Sequence, residues 1–124
     1  MTARDRRNTT KIFVYGTLKR GQCRAHVLTG QRFVRTVATA ATYRMYDTGS
    51  YPALVEADDG IAIEGELWEV DQRCLQQLDS IEGTPDLYQR RPVVFSDPSI
   101  DDAQTYIYCQ SVTGLVDCGS RWPI

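Results

Sequence analysis

The sequence predicts an α+β domain, a small mixed β-barrel flanked by short helices. Three observations carry this. Runs rich in Val, Ile, Thr, Tyr and Phe outnumber helical ones. Only two short segments read as helix. The connections between strands suit a curled or barrel-like mixed sheet better than a doubly wound one.

Residues 1–10 read as a flexible polar tail, and 11–124 as the domain. The basic cluster Arg4, Arg6, Arg7 and Lys11 is assigned to solvent. Lys11 to Tyr15 is the first strand; Ile12, Phe13 and Val14 make an apolar run that a sheet buries on both faces. Gly16 to Gly21 is a loop, and Gln22 to Leu28 a short helix stopped by Gly30. Phe33 to Tyr46 reads as one long strand or a bent pair. Thr48-Gly49-Ser50 turns the chain, and Tyr51-Pro52 opens another extended piece. Asp58-Asp59-Gly60 is a strong turn signal. Ile61 to Val70 follows as a strand, with Gly65 marking a bulge or a close approach. Asp71 is a good N-cap for a helix to about Glu82, with Gly83 at C′. Tyr88 to Phe95 is extended, and Pro92 puts it near an edge or a bulge. Ser96 to Asp102 is a polar loop, and Ala103 to Cys109 is the last strand.

Composition narrows the function. The chain has 124 residues, one domain's worth, and a formal net charge of −2. Neither a nucleic acid nor a membrane surface is an expected partner, because both would need a basic stripe. No apolar run reaches the ~20 residues of a membrane span. The first ten residues hold no apolar stretch, so no signal peptide is read and a cytoplasmic location is expected. Cys23, Cys74, Cys109 and Cys118 have no C-x-x-C spacing, and His26 is the single histidine. No metal site is expected, and free thiols are the default.

One stretch carries most of the chemical information. At roughly 100° per residue, Cys74, Leu75, Leu78 and Ile81 share one face of the second helix. Glu82 falls on that face too. An acid on an apolar stripe is unusual, and the negative end of the helix dipole disfavours its charge. Both effects raise its pKa toward the range where a carboxyl exchanges protons near neutrality. A frayed last turn, or a salt bridge to Arg90 or Arg91, is the competing reading.

The loop Tyr15-Gly16-Thr17-Leu18-Lys19-Arg20-Gly21 is the second candidate. Its glycines let backbone N–H groups approach a ligand, and the following helix would offer its positive end to an anion. Gly16 and Gly21 have P-loop spacing, but Gln22-Cys23 stand where Lys-Ser/Thr is needed, which argues against a nucleotide site. A plain strand-to-helix turn is the alternative. Cys23 and His26 are three apart on the first helix, but read as surface or core residues rather than a catalytic pair. Glu64 and Glu66 share one face of a strand and read as solvated, with a pocket wall as the other option.

The segment Phe13 to Gly21 resembles the signature loop of the γ-glutamylcyclotransferase-like proteins. Tyr51-Pro52-Ala53-Leu54-Val55 and Gly65-Glu66-Leu67-Trp68-Glu69-Val70 are similar to later segments of that family. Leu78-Asp79-x-x-Glu82-Gly83 with Tyr88-Gln89-Arg90 resembles its catalytic-glutamate segment, and Gly119-Ser120-Arg121-Trp122 its closing element. The resemblance implies a small β-barrel flanked by helices and an intramolecular reaction. The α-amine of a γ-glutamyl group attacks its own side-chain carbonyl, 5-oxoproline forms, and an amine or amino acid leaves. It implies Glu82 as the acid/base, and Tyr15, Gly16, Thr17 and Leu18 as the cradle of the glutamyl head group, with Tyr88 lining the pocket. It implies no cofactor, a small γ-glutamyl compound as partner, and a monomer or weak homodimer. A pocket that binds an amino-acid-like ligand without turnover is the alternative.

Overall fold

The computed structural model describes residues 9–123. Eight strands follow in chain order: β1 (Thr10–Val14), β2 (Arg32–Ala38), β3 (Tyr43–Asp47), β4 (Pro52–Glu56), β5 (Glu64–Val70), β6 (Tyr88–Pro92), β7 (Ala103–Tyr108) and β8 (Val116–Asp117). Among the described residues one α-helix, α1 (Gln72–Ile81), lies between β5 and β6. The segment read as a tail lies outside the described residues over 1–8, whereas Thr10 already belongs to β1.

The apolar run Ile12-Phe13-Val14 explains the layout. All three are buried, so β1 needs cover on both faces. It takes the central place in a five-stranded sheet ordered β2-β5-β1-β7-β6. Its pairing with β5 is antiparallel and with β7 parallel, so the sheet is mixed. Gly65 marks a close approach: a Cβ there would strike the Val14 carbonyl oxygen and come within 2.7 Å of the Phe13 ring. β6 forms one edge of this sheet, where Pro92 is tolerated.

The mixed α+β fold is as the sequence predicts, but the ladders among the described residues do not close into one barrel. A second sheet of three strands, ordered β4-β3-β8, stands apart. The break lies at residues 39–42. The Thr39 hydroxyl accepts from the Ile63 amide and donates to the Ala40 carbonyl, which turns the chain out of β2. The Phe33 to Tyr46 stretch is therefore two strands in different sheets. Residues 22–28 also differ from expectation. Only Ala25–Leu28 is helical, as a single 3₁₀ turn, and it has no side-chain cap. A turn that short offers no substantial helix dipole to the preceding loop.

Helix α1 starts where Asp71 indicates. Its carboxylate accepts from the Cys74 amide at 2.8 Å while its own backbone is extended. The helix ends at Glu82 and Gly83, the latter with φ +64°. Cys74, Leu75 and Leu78 are buried against Ile12, Val14, Trp68 and Val70. Ile81, expected on that face, is 36% exposed, because the last turn passes the edge of the apolar patch. Leu78 is fully buried one turn before Glu82. Leu78→Ala should cost about 2–5 kcal/mol in denaturant melts, as truncating a buried leucine does. A loss under about 1 kcal/mol would show that the helix does not rest on this contact.

Candidate active site

The loop that leaves β1 is fixed from three directions. The Tyr15 hydroxyl donates to the Tyr106 carbonyl at 2.6 Å and accepts from the Leu54 amide. Gly16 lies so close to Pro52 that a Cβ would meet its ring carbons at 2.5 and 2.7 Å. Thr17 and Leu18 are buried; the Thr17 carbonyl accepts from the Arg24 amide at 2.8 Å. The amides of Gly16, Thr17 and Leu18 have no acceptor among the described residues. They form a group of donors with unspent capacity.

Glu66 anchors the far end of the same loop. Its carboxylate accepts from the Arg20 amide at 3.1 Å, from Arg20 Nε at 3.0 Å and from Trp68 Nε1 at 3.1 Å. The Arg20 guanidinium also stacks 3.7 Å from the Phe33 ring centroid. Glu66 is 6% exposed, so the solvated reading is wrong for it and holds only for Glu64, which is exposed. The signal was available: alternation along β5 puts Glu66 on the face of buried Trp68. Both acids wall a cleft of about 360 Å³ together with Lys19 and Arg121.

Glu82 follows the last residue of α1, with its amide bonded to the Leu78 carbonyl. The neighbouring acid takes the expected cation. Asp79 receives Arg90 Nε and Nη2, both at 3.1 Å, and the Tyr106 hydroxyl at 2.7 Å. The Glu82 carboxyl forms no ion pair among the described residues, and the salt bridge to Arg90 or Arg91 is not made. Burial pushes it from the ordinary 4.5 up to about 7, and the Arg24 guanidinium pulls partly against this.

Three tyrosines share this environment. Tyr15, Tyr88 and Tyr106 have hydroxyl pKa values raised first by burial and further by charges that include Glu82. All three stay neutral through the physiological range. The Tyr88 hydroxyl donates to the Pro52 carbonyl at 2.7 Å, on the residue that Gly16 packs against. Its ring lies 6.1 Å from Tyr51 and 5.3 Å from Tyr108, centroid to centroid. Leu18, Leu78, Tyr88 and Tyr106 belong to one buried cluster. The structure thus brings Glu82 within electrostatic reach of Tyr15 and Tyr88, and joins the Gly16–Leu18 loop to them through Pro52 and Arg24. Arg24, Asp79 and Arg90 are the residues that sequence reasoning did not assign to this site. Asp79 at i−3 from Glu82, facing a basic strand, was the one legible signal.

Cys23 and His26 are both exposed and share no bond. The four cysteines are free thiols, and no metal-holding group of His, Cys, Asp and Glu occurs among the described residues. Among those residues no helix is long and apolar enough to cross a membrane.

The described residues form a small α+β domain that combines a mixed sheet, one capped helix, a glycine loop of unspent amides and a half-buried carboxyl without an ion pair. Residues 12–122 match the family model described as gamma-glutamyl cyclotransferase, AIG2-like, and the chain belongs to that family. A relative from Vibrio cholerae is 34% identical over 110 residues, spanning 87% of this chain and 91% of that protein. The gamma-glutamylaminecyclotransferase of Homo sapiens is 39% identical over 87 residues, 64% of this chain and 57% of that one. Among solved structures, an aig2-like protein from Mus musculus superposes with TM-score 0.68 at 30% identity, covering 84% of this chain and 78% of that one.

The raised pKa of Glu82 has a consequence for stability. Below pH 4.5 the group is protonated folded or unfolded, and contributes nothing to the difference. Between 4.5 and about 7 only the unfolded state releases the proton, so stability falls as pH rises, by roughly 3 kcal/mol in all. Glu82→Gln removes this cost. Denaturant melts should show the variant gaining on the wild type from pH 4.5 to 8, by up to that amount. A difference that stays flat across this range would mean that the carboxyl titrates normally.

Proposed function

We propose that this chain is a γ-glutamylcyclotransferase in which Glu82 moves the proton. The observation that carries the reading is a carboxyl group desolvated to a pKa of about 7 with no ion pair among the described residues. Such a group is half ionised at neutral pH, where it can both take and return a proton.

The reaction joins two ends of one substrate. The Glu82 carboxylate takes a proton from the α-ammonium, and the free amine attacks the γ-carbonyl carbon to give a tetrahedral oxyanion whose ring nitrogen is positively charged. The leaving nitrogen receives the proton held by Glu82, and the C–N bond breaks as the oxyanion returns to a carbonyl. The ring nitrogen gives its second proton to the Glu82 carboxylate, which passes it to the released amine, leaving 5-oxoproline. The unspent amides of Gly16, Thr17 and Leu18 are the candidates to stabilise the oxyanion. Holding the substrate folded lets proximity lower the barrier, since both reacting groups belong to one molecule. Tyr15 and Tyr88, neutral and bonded to main-chain carbonyls, keep the site shaped and dry. The small-molecule partner is a γ-glutamyl amine or amide, and the protein is expected to act as a monomer or weak homodimer in the cytoplasm.

A screen of γ-glutamyl amides and amines for 5-oxoproline release tests the activity. On the best substrate, kcat/KM should rise with pH and level off above about 7, as Glu82 becomes the base form. Glu82→Gln should reduce kcat by about 10²–10⁴-fold, the usual worth of general acid–base catalysis, and weaken binding far less. Unchanged turnover in the variant would remove Glu82 from the mechanism. Tight binding of γ-glutamyl compounds with no 5-oxoproline from any of them would replace the enzyme by a binding module.

A further inference from the structure

The cleft walled by Glu64, Glu66, Lys19 and Arg121 has no part in the proton transfer, yet it adjoins the loop proposed to hold the substrate. It lies between the end of β2, Thr36 to Ala38, and the start of β5. Lys19 directly follows Leu18, the last loop residue with an unspent amide, and its own amide donates to the Gly16 carbonyl at 3.1 Å. Arg121 directly precedes Trp122, whose Cε3 lies 3.9 Å from the place that a Cβ on Gly16 would take. The closing segment is tied there by the Glu64 amide, which donates to the Ser120 carbonyl at 2.7 Å. Lys19, and Arg121 through Trp122, therefore connect the cleft to the loop.

The charges around the cleft do not cancel. Glu66 is held by Arg20 at 3.0 Å and Glu64 by Arg121 at 3.5 Å. Lys19 has no carboxylate within ion-pair distance among the described residues, whereas Lys11, the other lysine, pairs with Asp102. Arg24, Arg73 and Arg91 also lack such a partner, but none of them lines this cleft. Lys19, Arg20 and Arg121 set against Glu64 and Glu66 leave one positive charge beside a cavity of about 360 Å³, a size that ligand sites share. Burial lowers the Lys19 pKa from the ordinary 10.5; of the charges around it, Glu66 and Glu64 oppose this and Arg121 adds to it. A half-buried ammonium in this setting gains from an anion that enters the cleft.

We propose that this cleft is the subsite for the leaving half of the substrate, and that Lys19 binds a carboxylate carried by that half. The inference rests on the cyclotransferase reading and narrows its substrate class to γ-glutamyl compounds whose leaving amine bears a carboxylate, as against those of plain amines. In a γ-glutamyl amino acid one carbon separates the scissile nitrogen from the leaving-side carboxylate. With the γ-carbonyl on the amides of Gly16, Thr17 and Leu18, the next cation along the chain is Lys19. Its ammonium is a point charge with rotatable donors, so it holds a carboxylate without demanding one fixed approach. No covalent step is added to the reaction. Lys19 acts by binding, so its loss should appear in KM more than in kcat.

The experiment compares γ-glutamylalanine with γ-glutamylalaninamide, which differ only at the leaving-side carboxylate. Release of 5-oxoproline from each is measured with wild type, Lys19→Met and Lys19→Arg, whose circular dichroism is compared first. Where no product forms, binding of each compound is measured calorimetrically instead. Wild type should favour the acid over the amide about 10-fold in kcat/KM, mostly through KM, the lower range for a charge-assisted bond. In Lys19→Met, which keeps an unbranched stem without the charge, that ratio should fall to about 1, and Lys19→Arg should keep most of it. Lys19→Gln repeats the test if Lys19→Met loses its fold. A ratio unchanged when the charge is removed, or a wild type with no preference for the acid, overturns the proposal. The two readings fail separately. Binding that favours the acid in wild type and loses that preference in Lys19→Met, with no 5-oxoproline from either compound, supports the subsite and rejects the enzyme. Turnover of both compounds at equal KM rejects the subsite and leaves the enzyme standing. Neither binding nor turnover of either compound rejects both.

Discussion

Asp79 takes Arg90 through both of its oxygens and adds the Tyr106 hydroxyl, and the unpaired state of Glu82 depends on that pairing. Two acids stand three residues apart at the end of α1, facing strands with two adjacent arginines. Were Arg90 to pair with Glu82 instead, that carboxylate would be stabilised and its pKa would fall. Because Asp79 captures Arg90, Glu82 is left half-buried with no ion pair among the described residues, and burial, only partly offset by Arg24, holds its proton to about pH 7. The same pairing ties the helix end to β6 and β7, so the element that carries the acid is held against the sheet that carries the loop.

The loop has a matching arrangement on its other side. Glu66 spends its charge on Arg20 and Trp68, all within the scaffold, and so pins the chain after Leu18 to β5. The site is thus built from acids with opposite assignments. Asp79 and Glu66 are satisfied and hold geometry, whereas Glu82 has no ion pair among the described residues, which fits the proton-transfer role proposed for it. Buried charges are tolerated in the first case because hydrogen bonds replace water. In the second the cost of burial is what moves the pKa into a useful range.

Much of this was legible in the sequence because it is local. Asp71 and Gly83 bracket the helix through backbone preferences that act within a few residues, and helical geometry alone sets Glu82 apart. The run Ile12-Phe13-Val14 announces a central strand. What was not legible depends on contacts distant in sequence. Nothing local says that Thr39 will bond across to Ile63 and split one long strand into two, or that the sheets remain two rather than a closed barrel. Residues 22–28 have helical composition but no capping side chain, and yield only one tight turn. Arg24 lies in that turn and has no periodic signature; its nearness to Glu82, 58 positions later, is a product of the fold. Glu66 could have been placed by its alternation with Trp68, and was missed because a charged residue invites a solvated reading.

The central claim is that Glu82 is desolvated and unpaired, and the most direct measurement is the titration of its own carboxyl carbon by NMR, assigned through Glu82→Gln. The account predicts a midpoint near 7, well separated from the bulk of the acids. A midpoint at the ordinary 4.5 would mean that the side chain is solvated or paired, and the site as described here would not exist.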